Sequence, residues 1–304
     1  MENLTIDKQN GNIGFNEEFH RYIDLTDPTV KFTSVTTMIE KFGQPFDKEF
    51  WSAYKALEKL LDADSWKLEK KSLLSTKKFD PVILELHNIT ELNFNKTQQE
   101  ILDSWDEENR KSCERGTKIH AGLENSFYSK GKDISLSKYQ IGGKFECQKD
   151  RTSLDLENAV YPEYLIHWDS PSGKLHIAGQ IDLLVKKGNS IIIGDWKTNK
   201  KIDTKSYFDS KVRSSVKMKF PLNNLDDCNY YHYCLQLSTY AYIIESYNPD
   251  FTIEDLVLVH FDHNDNMTVY HLPYLKKEVE RMLSYYEKES LLEERRLKNK
   301  RIEY

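Results

Sequence analysis

The order of hydrophobic patterns along this chain predicts an α/β fold, a mixed central sheet flanked by helices with a largely helical N-terminal region before it. Three observations carry that reading. Apolar runs near residues 159–168, 174–187 and 190–198 read as consecutive strands, punctuated by the turn signals Ser170-Pro171-Ser172-Gly173 and Lys186-Lys187-Gly188-Asn189. A helical pattern from about Glu107 to Tyr128 precedes them, and another from Tyr230 to Ser246 follows. Two later strands, Leu256–Phe261 and Met267–Leu272, form a hairpin around Asn264-Asp265-Asn266.

The remaining elements follow in order. Gly14 to Asp24 reads as a short hairpin strand, and Ser34–Ile39 and Asp47–Leu61 as helices. The second of these places Phe50, Trp51, Tyr54, Leu57 and Leu61 at helical spacing. Residues 65–112 are mixed and polar, helical in part. Residues 130–157 are ambiguous, with room for another helix. Residues 203–227 form a long connection, which in a compact domain is usually functional or mobile. A charged helix runs from Leu275 to about Asn299, and there are no internal repeats. The expected organisation is an accessory region of hairpin and helices over 1–105 and a core with a C-terminal helix over 106–304.

The chemistry concentrates on the two strands Ala178-Gly179-Gln180-Ile181-Asp182-Leu183-Leu184-Val185 and Ile191-Ile192-Ile193-Gly194-Asp195-Trp196-Lys197-Thr198. An unpaired carboxylate inside a sheet is costly, so carboxylates there imply partners. Side chains alternate along a strand, so Asp195 and Lys197 share one face and Trp196 takes the other. Pairing through the tight turn lets Asp182 lie beside Asp195. Two hard oxygen ligands suit magnesium or manganese. A lysine beside them can hold or activate a water and stabilise charge on a phosphate. The competing reading is a surface hairpin with scattered charges.

Further motifs flank these strands: Gly116-Thr117-Lys118-Ile119-His120 upstream, and Gln236 with Tyr240, four apart on one helical face, downstream. With Gly179-Gln180-Ile181-Asp182 and Asp195-Trp196-Lys197-Thr198 they stand in the order found in the RecB-like members of the PD-(D/E)XK nuclease superfamily, with its restriction-endonuclease-like core. The chain resembles that family over roughly residues 110–265, and is most similar to phage and organellar exonucleases and the nuclease domain of RecB. The resemblance implies that Asp182 and Asp195 bind metal, that His120 adds a nitrogen ligand, and that Lys197 is the catalytic lysine. It also implies that Gln236 and Tyr240 border the site. Glu163, in Tyr161-Pro162-Glu163-Tyr164, could be an additional acidic ligand. A histidine ligand makes manganese more acceptable than an all-oxygen site would. Tyr240 also fits an apolar helix face with Leu237, Ala241 and Ile244, so core packing competes for it. Glu124 could hydrogen-bond His120 or be a solvated helix charge.

Composition fits a soluble intracellular enzyme: 304 residues, 38% hydrophobic and 30% charged, with no apolar stretch near the roughly 20 residues needed to span a bilayer. Met1-Glu2-Asn3-Leu4-Thr5 lacks a signal pattern. Cys113, Cys147, Cys228 and Cys234 have neither zinc spacing nor a disulfide framework. Some RecB-like nucleases bind an iron–sulfur cluster through one cysteine before the core and three near the C-terminus; here no cysteine follows Cys234, so no iron–sulfur cluster is expected. The net charge of −6 opposes nucleic-acid binding in sum. Its distribution does not: Lys197, Lys200, Lys201, Lys205, Lys211, Arg213, Lys217 and Lys219 follow one strand, and Arg110, Lys111, Arg115 and Lys118 lead into the His120 helix. Together they read as a phosphate track, against the alternative of a solvated face; Tyr207, Phe208 and Phe220 are candidates for base stacking or, equally, for anchoring the connection to the core. The expectation is a metal-dependent deoxyribonuclease, an exonuclease acting on DNA ends or single strands. Its partners would be DNA and replication or recombination proteins, not membranes. Its location would be the cytoplasm, the host's if the chain is phage-encoded. An endonuclease on the same fold, a DNA-binding factor with a decayed site and a small-molecule phosphatase are the alternatives; the intact Asp182, Asp195 and Lys197 argue against decay.

Overall fold

The computed structural model describes residues 5–128, 134–136, 139–141, 156–209 and 214–302. The chain opens with an antiparallel meander, β1 (Lys8–Asn10), β2 (Ile13–Asn16) and β3 (Arg21–Asp24), then β4 (Thr33–Ser34) and α1 (Val35–Glu40). Ser34 caps α1 by accepting from Thr37 N at 3.0 Å. Asp47 likewise caps α2 (Lys48–Leu60), accepting from Phe50 N at 2.8 Å. Helices α3 (Ala63–Thr76), α4 (Val82–Leu86) and α5 (Glu91–Tyr128) follow. Helix α5 starts well before Glu107. Its first turns carry only a sparse apolar stripe, Phe94, Ile101 and Trp105, packed with Phe50, Leu57 and Leu73. That stripe is too thin to stand out from the polar residues around it.

Beyond α5, β5 (Ile134–Leu136) and β6 (Tyr139–Ile141) pair antiparallel within the ambiguous 130–157 stretch; the rest of that stretch to residue 155 lies outside the described residues. Then come β7 (Ala159–Asp169), β8 (His176–Lys187) and β9 (Ser190–Lys197), followed by the short β10 (Phe208–Asp209) and β11 (Ser214–Ser215) in the long connection. Helix α6 (Asn229–Tyr247), strands β12 (Thr252–Phe261) and β13 (Met267–His271), and helix α7 (Lys276–Ile302) complete the chain. No helix among the described residues is long and apolar enough to cross a membrane.

The central sheet is mixed, in the order β13-β12-β9-β8-β4, with β7 also paired to β8. Strand β12 runs parallel to β9, while β8 is antiparallel to both β7 and β9. On one face, Ile191, Ile193, Leu256 and Leu258 pack with residues of α1, α6 and α7, including Met38, Leu237 and Met282. On the other, Ile192, Trp196, Val257 and Val259 pack against Phe127 at the end of α5. This is the α/β fold with a mixed, helix-flanked sheet that the strand order implied.

The backbone falls into two compact units. One compact unit holds residues up to Gln44, Lys118–Phe208 and Ser215 onward, and the other is built on Pro45–Thr117. The N-terminal strands belong with the sheet for a physical reason. β4 pairs in parallel with β8, and Asn10 Nδ2 donates to Leu165 O at 2.7 Å. Ile13 and Phe15 bury themselves against Leu165 and Ala178.

Candidate active site

The site forms where the β8–β9 ladder opens. Pairing runs from Lys187↔Ser190 to Leu183↔Gly194 and stops there. The next rung would join Asp182 to Asp195. Instead the Trp196 peptide, freed on that edge, bonds to side chains. Trp196 N donates to Asp182 Oδ2 at 2.8 Å, and His120 Nε2 donates to Trp196 O at 3.1 Å. The opened rung thus orients Asp182 and His120 while pairing Trp196 N and Trp196 O.

Glu163 reaches the same place from β7. It lies across from Asp182, between the pairs Pro162↔Leu183 and Tyr164↔Ile181, with a left-handed φ of 50°. A glutamate in that conformation inside a strand is strained, a feature concentrated at functional sites. The inward-facing residues change parity here on both strands: Tyr161 but then Tyr164 and Ile166 on β7, Leu184 but then Ile181 and Ile177 on β8 all enter the same core. Simple alternation through Asp182 therefore fails.

Ligand atoms of His120, Glu163 and Asp182 lie within 4.8 Å of one another. His120 Nδ1 is 3.5 Å from Asp182 Oδ2 and 3.7 Å from Glu163 Oε1. Burial by itself would lower the His120 pKa; Glu163, Asp182 and Asp195 outweigh it and raise the value to about 9. Burial, reinforced by Asp195, lifts Asp182 to about 7 against the pull of His120 and Lys197. Burial would raise Glu163 too, but His120 and Lys8 hold it below the ordinary range. Such crowding of carboxylates around one imidazole fits a divalent cation. The Nε2–H bond to a carbonyl leaves Nδ1 as the coordinating nitrogen, a common outer-shell device.

Asp195 sits beside this trio with its own partners. Its Oδ2 is 2.6 Å from Lys197 Nζ, and its Oδ1 accepts from Gln236 Nε2 at 3.2 Å. The same Gln236 nitrogen lies 3.3 Å from the Tyr240 hydroxyl oxygen, which accepts. Lys197 Nζ also stands 5.1 Å over the Tyr233 ring. Burial would lower the Lys197 pKa, but Asp195 and Asp182 raise it well above the ordinary lysine value, so it stays an ammonium. Tyr240 combines both readings of the sequence, being buried in the α6 core and bonded into the site.

Gly179 explains itself here. A Cβ on it would lie 2.4 Å from Tyr240 Cε1, so only glycine lets the ring approach β8. Gly179→Ala is expected to cost about 1–3 kcal/mol through overpacking against Tyr240. Adding Tyr240→Leu should recover melting temperature. Thermal denaturation of the two variants checks this.

Several residues of the site carry no sequence assignment. Gln180 Nε2 donates to Glu163 Oε2, and it shares β8 parity with Asp182, a signal that could have found it. Lys8, from β1, reaches Glu163 and is described below. Tyr22, half-buried on β3, has a hydroxyl pKa raised by desolvation and then by Asp182 and Glu163. Glu124 faces Lys8 at 3.7 Å rather than His120.

The basic connection is mixed in character. Lys217 pairs with Asp226, and Lys201 with Asp203 at 2.8 Å, so neither is a free phosphate ligand. Lys211 and Arg213 lie outside the described residues. Lys219 and Phe220 line a cleft of about 640 Å³ with Lys41, Tyr285, Tyr286 and Arg296. Tyr207, Phe208 and Phe220 are all exposed, and Phe220 packs edge-on against Tyr285.

No family model matches the chain, and no curated protein matches it. Among solved structures it is similar to the protein SSO0001, with 16% identity, a TM-score of 0.31 and coverage of 57% of this chain and 58% of that one. It is also similar to a candidate exonuclease from Eubacterium rectale, with 10% identity, a TM-score of 0.29 and coverage of 84% of this chain and 77% of that one. The chain thus spans under two thirds of SSO0001. Likenesses this distant assign no activity, and the functional reading rests on the site itself.

Proposed function

We propose that this chain is a metal-dependent nuclease that hydrolyses DNA phosphodiester bonds, working from DNA ends. The observation that carries the reading is the convergence of His120, Glu163 and Asp182 within 4.8 Å beside a Lys197 ammonium held by Asp195. Magnesium or manganese held by the three, with Asp195 adjacent, supplies Lewis-acid polarisation of the phosphate. Lys197 contributes the rest. Fixed as an ammonium, it donates hydrogen bonds to a phosphate oxygen or to the attacking water, and does not accept a proton. Asp195 aims that ammonium, and Gln236, itself bonded to Tyr240, holds Asp195. In-line attack of water forms a new P–O bond and breaks the bond to the 3′-oxygen, which leaves as a hydroxyl carrying the proton that the water gives up through solvent; the product is a 5′-phosphate, as in the family the motifs resemble.

The test is cleavage of end-labelled linear DNA against covalently closed circles of the same sequence, single- and double-stranded, with magnesium or manganese. Linear DNA should be degraded and circles resist. Rapid cutting of closed single-stranded circles would replace the exonuclease by an endonuclease; no cleavage of any DNA with either metal would end the nuclease reading.

DNA engagement makes a separate expectation for the Phe220 cleft. Replacing Lys41 and Lys219 by glutamine should weaken DNA binding and flatten its salt dependence. Each lost phosphate contact lowers the log–log slope by about 0.9 for duplex or about 0.7 for single strands. Fluorescence anisotropy across a salt series measures the slope. An unchanged slope assigns these lysines to ordinary solvated surface.

A further inference from the structure

Glu163 is shared between two cationic positions. Its Oε1 faces His120, while its Oε2 faces Lys8 Nζ at 3.5 Å. The Lys8 ammonium also lies 3.4 Å from Glu17 Oε1 and 3.7 Å from Glu124 Oε2. The three carboxylates come from β7, from the turn after β2 and from α5, so only the folded chain assembles them. Lys8 itself is carried by β1, the strand that Asn10 ties to β7 through the Leu165 carbonyl.

Building on the metal-site reading above, we propose that Lys8 is a built-in substitute for a second metal ion, restricting the site to one divalent cation at His120, Glu163 and Asp182. Three carboxylates gathered around one point repel one another unless a cation stands between them. The Lys8 side chain is 24% exposed and supplies one. Lysine is suited to this because its ammonium is a compact point charge with three donors, and three carboxylates surround it. It brings one positive charge where a metal brings two, and no Lewis acidity. Two-metal phosphoryl-transfer sites place their ions roughly 3.5–4 Å apart, bridged by shared ligands. Glu163, with one oxygen toward each position, has the form of such a bridge. The oxygens stand 3.4, 3.5 and 3.7 Å from Nζ; magnesium would draw oxygens to roughly 2.0–2.1 Å and calcium to roughly 2.3–2.6 Å. Without the ammonium, Glu17, Glu124 and Glu163 become an oxygen-rich cluster able to contract onto an ion.

The experiment counts manganese on the full-length protein by isothermal titration calorimetry, with electron paramagnetic resonance to detect coupled manganese pairs. Wild type should bind one ion. Lys8→Ala should bind two and show a coupled pair; Lys8→Arg, which restores a cation, should return to one. Lys8→Gln, close to lysine in length and without the charge, should also bind two, and it serves if Lys8→Ala misfolds by circular dichroism. Two ions in wild type, or a single ion in folded Lys8→Ala or Lys8→Gln, would overturn the role of Lys8 while leaving the metal site intact. No manganese in wild type would instead defeat the metal site on which the inference rests, and the inference with it.

Discussion

Lys197→Ala is expected to lower DNA cleavage by roughly 10²–10³-fold, the loss typical of removing one donor aimed at transition-state charge, while manganese affinity changes little. Asp182→Asn and Asp195→Asn are expected to lose cleavage as well, and to weaken manganese binding, Asp182→Asn the more because its Oδ2 lies within the ligand cluster. Removing Lys197 also strands the Asp195 carboxylate, which is 1% exposed. Breaking one side of a buried ion pair costs up to about 3–5 kcal/mol, so the melting temperature should fall. The double variant Lys197→Ala/Asp195→Asn should regain much of that stability and none of the activity, which separates the chemical role from the structural one. Single-turnover hydrolysis, calorimetric metal titration and thermal melts on each variant supply the readouts. Full activity in Asp195→Asn, or in wild type with excess chelator, would remove the metal-dependent reading.

The second large effect is on metal binding and its pH dependence. His120→Ala should lower cleavage severely and shift the preference from manganese towards magnesium, since the nitrogen ligand is lost. Metal binding at this site also has to displace protons. The neighbouring carboxylates push His120 up to about 9, and burial with Asp195 pushes Asp182 up to about 7. Binding requires neutral Nδ1 and an ionised Asp182. Raising the pH removes the competing protons, so affinity must increase with pH. Below pH 7 both groups hold protons, and each displaced proton contributes about tenfold in affinity per pH unit. Wild type should therefore gain close to a hundredfold per unit below pH 7 and about tenfold per unit from pH 7 to 9. In His120→Ala only the Asp182 proton remains to be displaced, and without the His120 pull it titrates higher, so the gain should not exceed about tenfold per unit at any pH. Calorimetry in buffers of different ionisation enthalpy counts the released protons directly. A manganese affinity constant between pH 6.5 and 8.5 in wild type would refute the assignment of His120 and Asp182 as ligands. If His120 only packs the fold, its alanine variant should melt earlier and keep its specific activity.

Local periodicity carried much of this site. Asp195 and Lys197 share a face because strand side chains alternate, and Trp196 turns the other way into the Phe127 cluster. Gln236 and Tyr240 meet because a helix brings positions four apart together. The turn at 186–189 set the register that leaves Asp182 level with Asp195. Each of these depends on dihedral geometry over a few residues, which a sequence states directly.

Other features depend on contacts that no local pattern records. Lys8 and Glu163 are separated by 155 positions, and nothing near either one marks the other. The left-handed Glu163 reverses the alternation of β7 and β8 within one rung, which a period-two reading cannot anticipate. The early start of α5 is set by Phe94, Ile101 and Trp105 finding apolar partners on α2 and α3. Gly179 acquires its meaning only when Tyr240 arrives from α6. The sequence by itself therefore determined which carboxylates, lysine and histidine belong to one fold and how neighbours on a single element face. Only the tertiary structure decided where the β8–β9 ladder opens, which donors gather there and what cation stands beside them. The reason is that ladder opening and charge clustering are free-energy balances among segments distant in the chain, fixed when those segments bury one another.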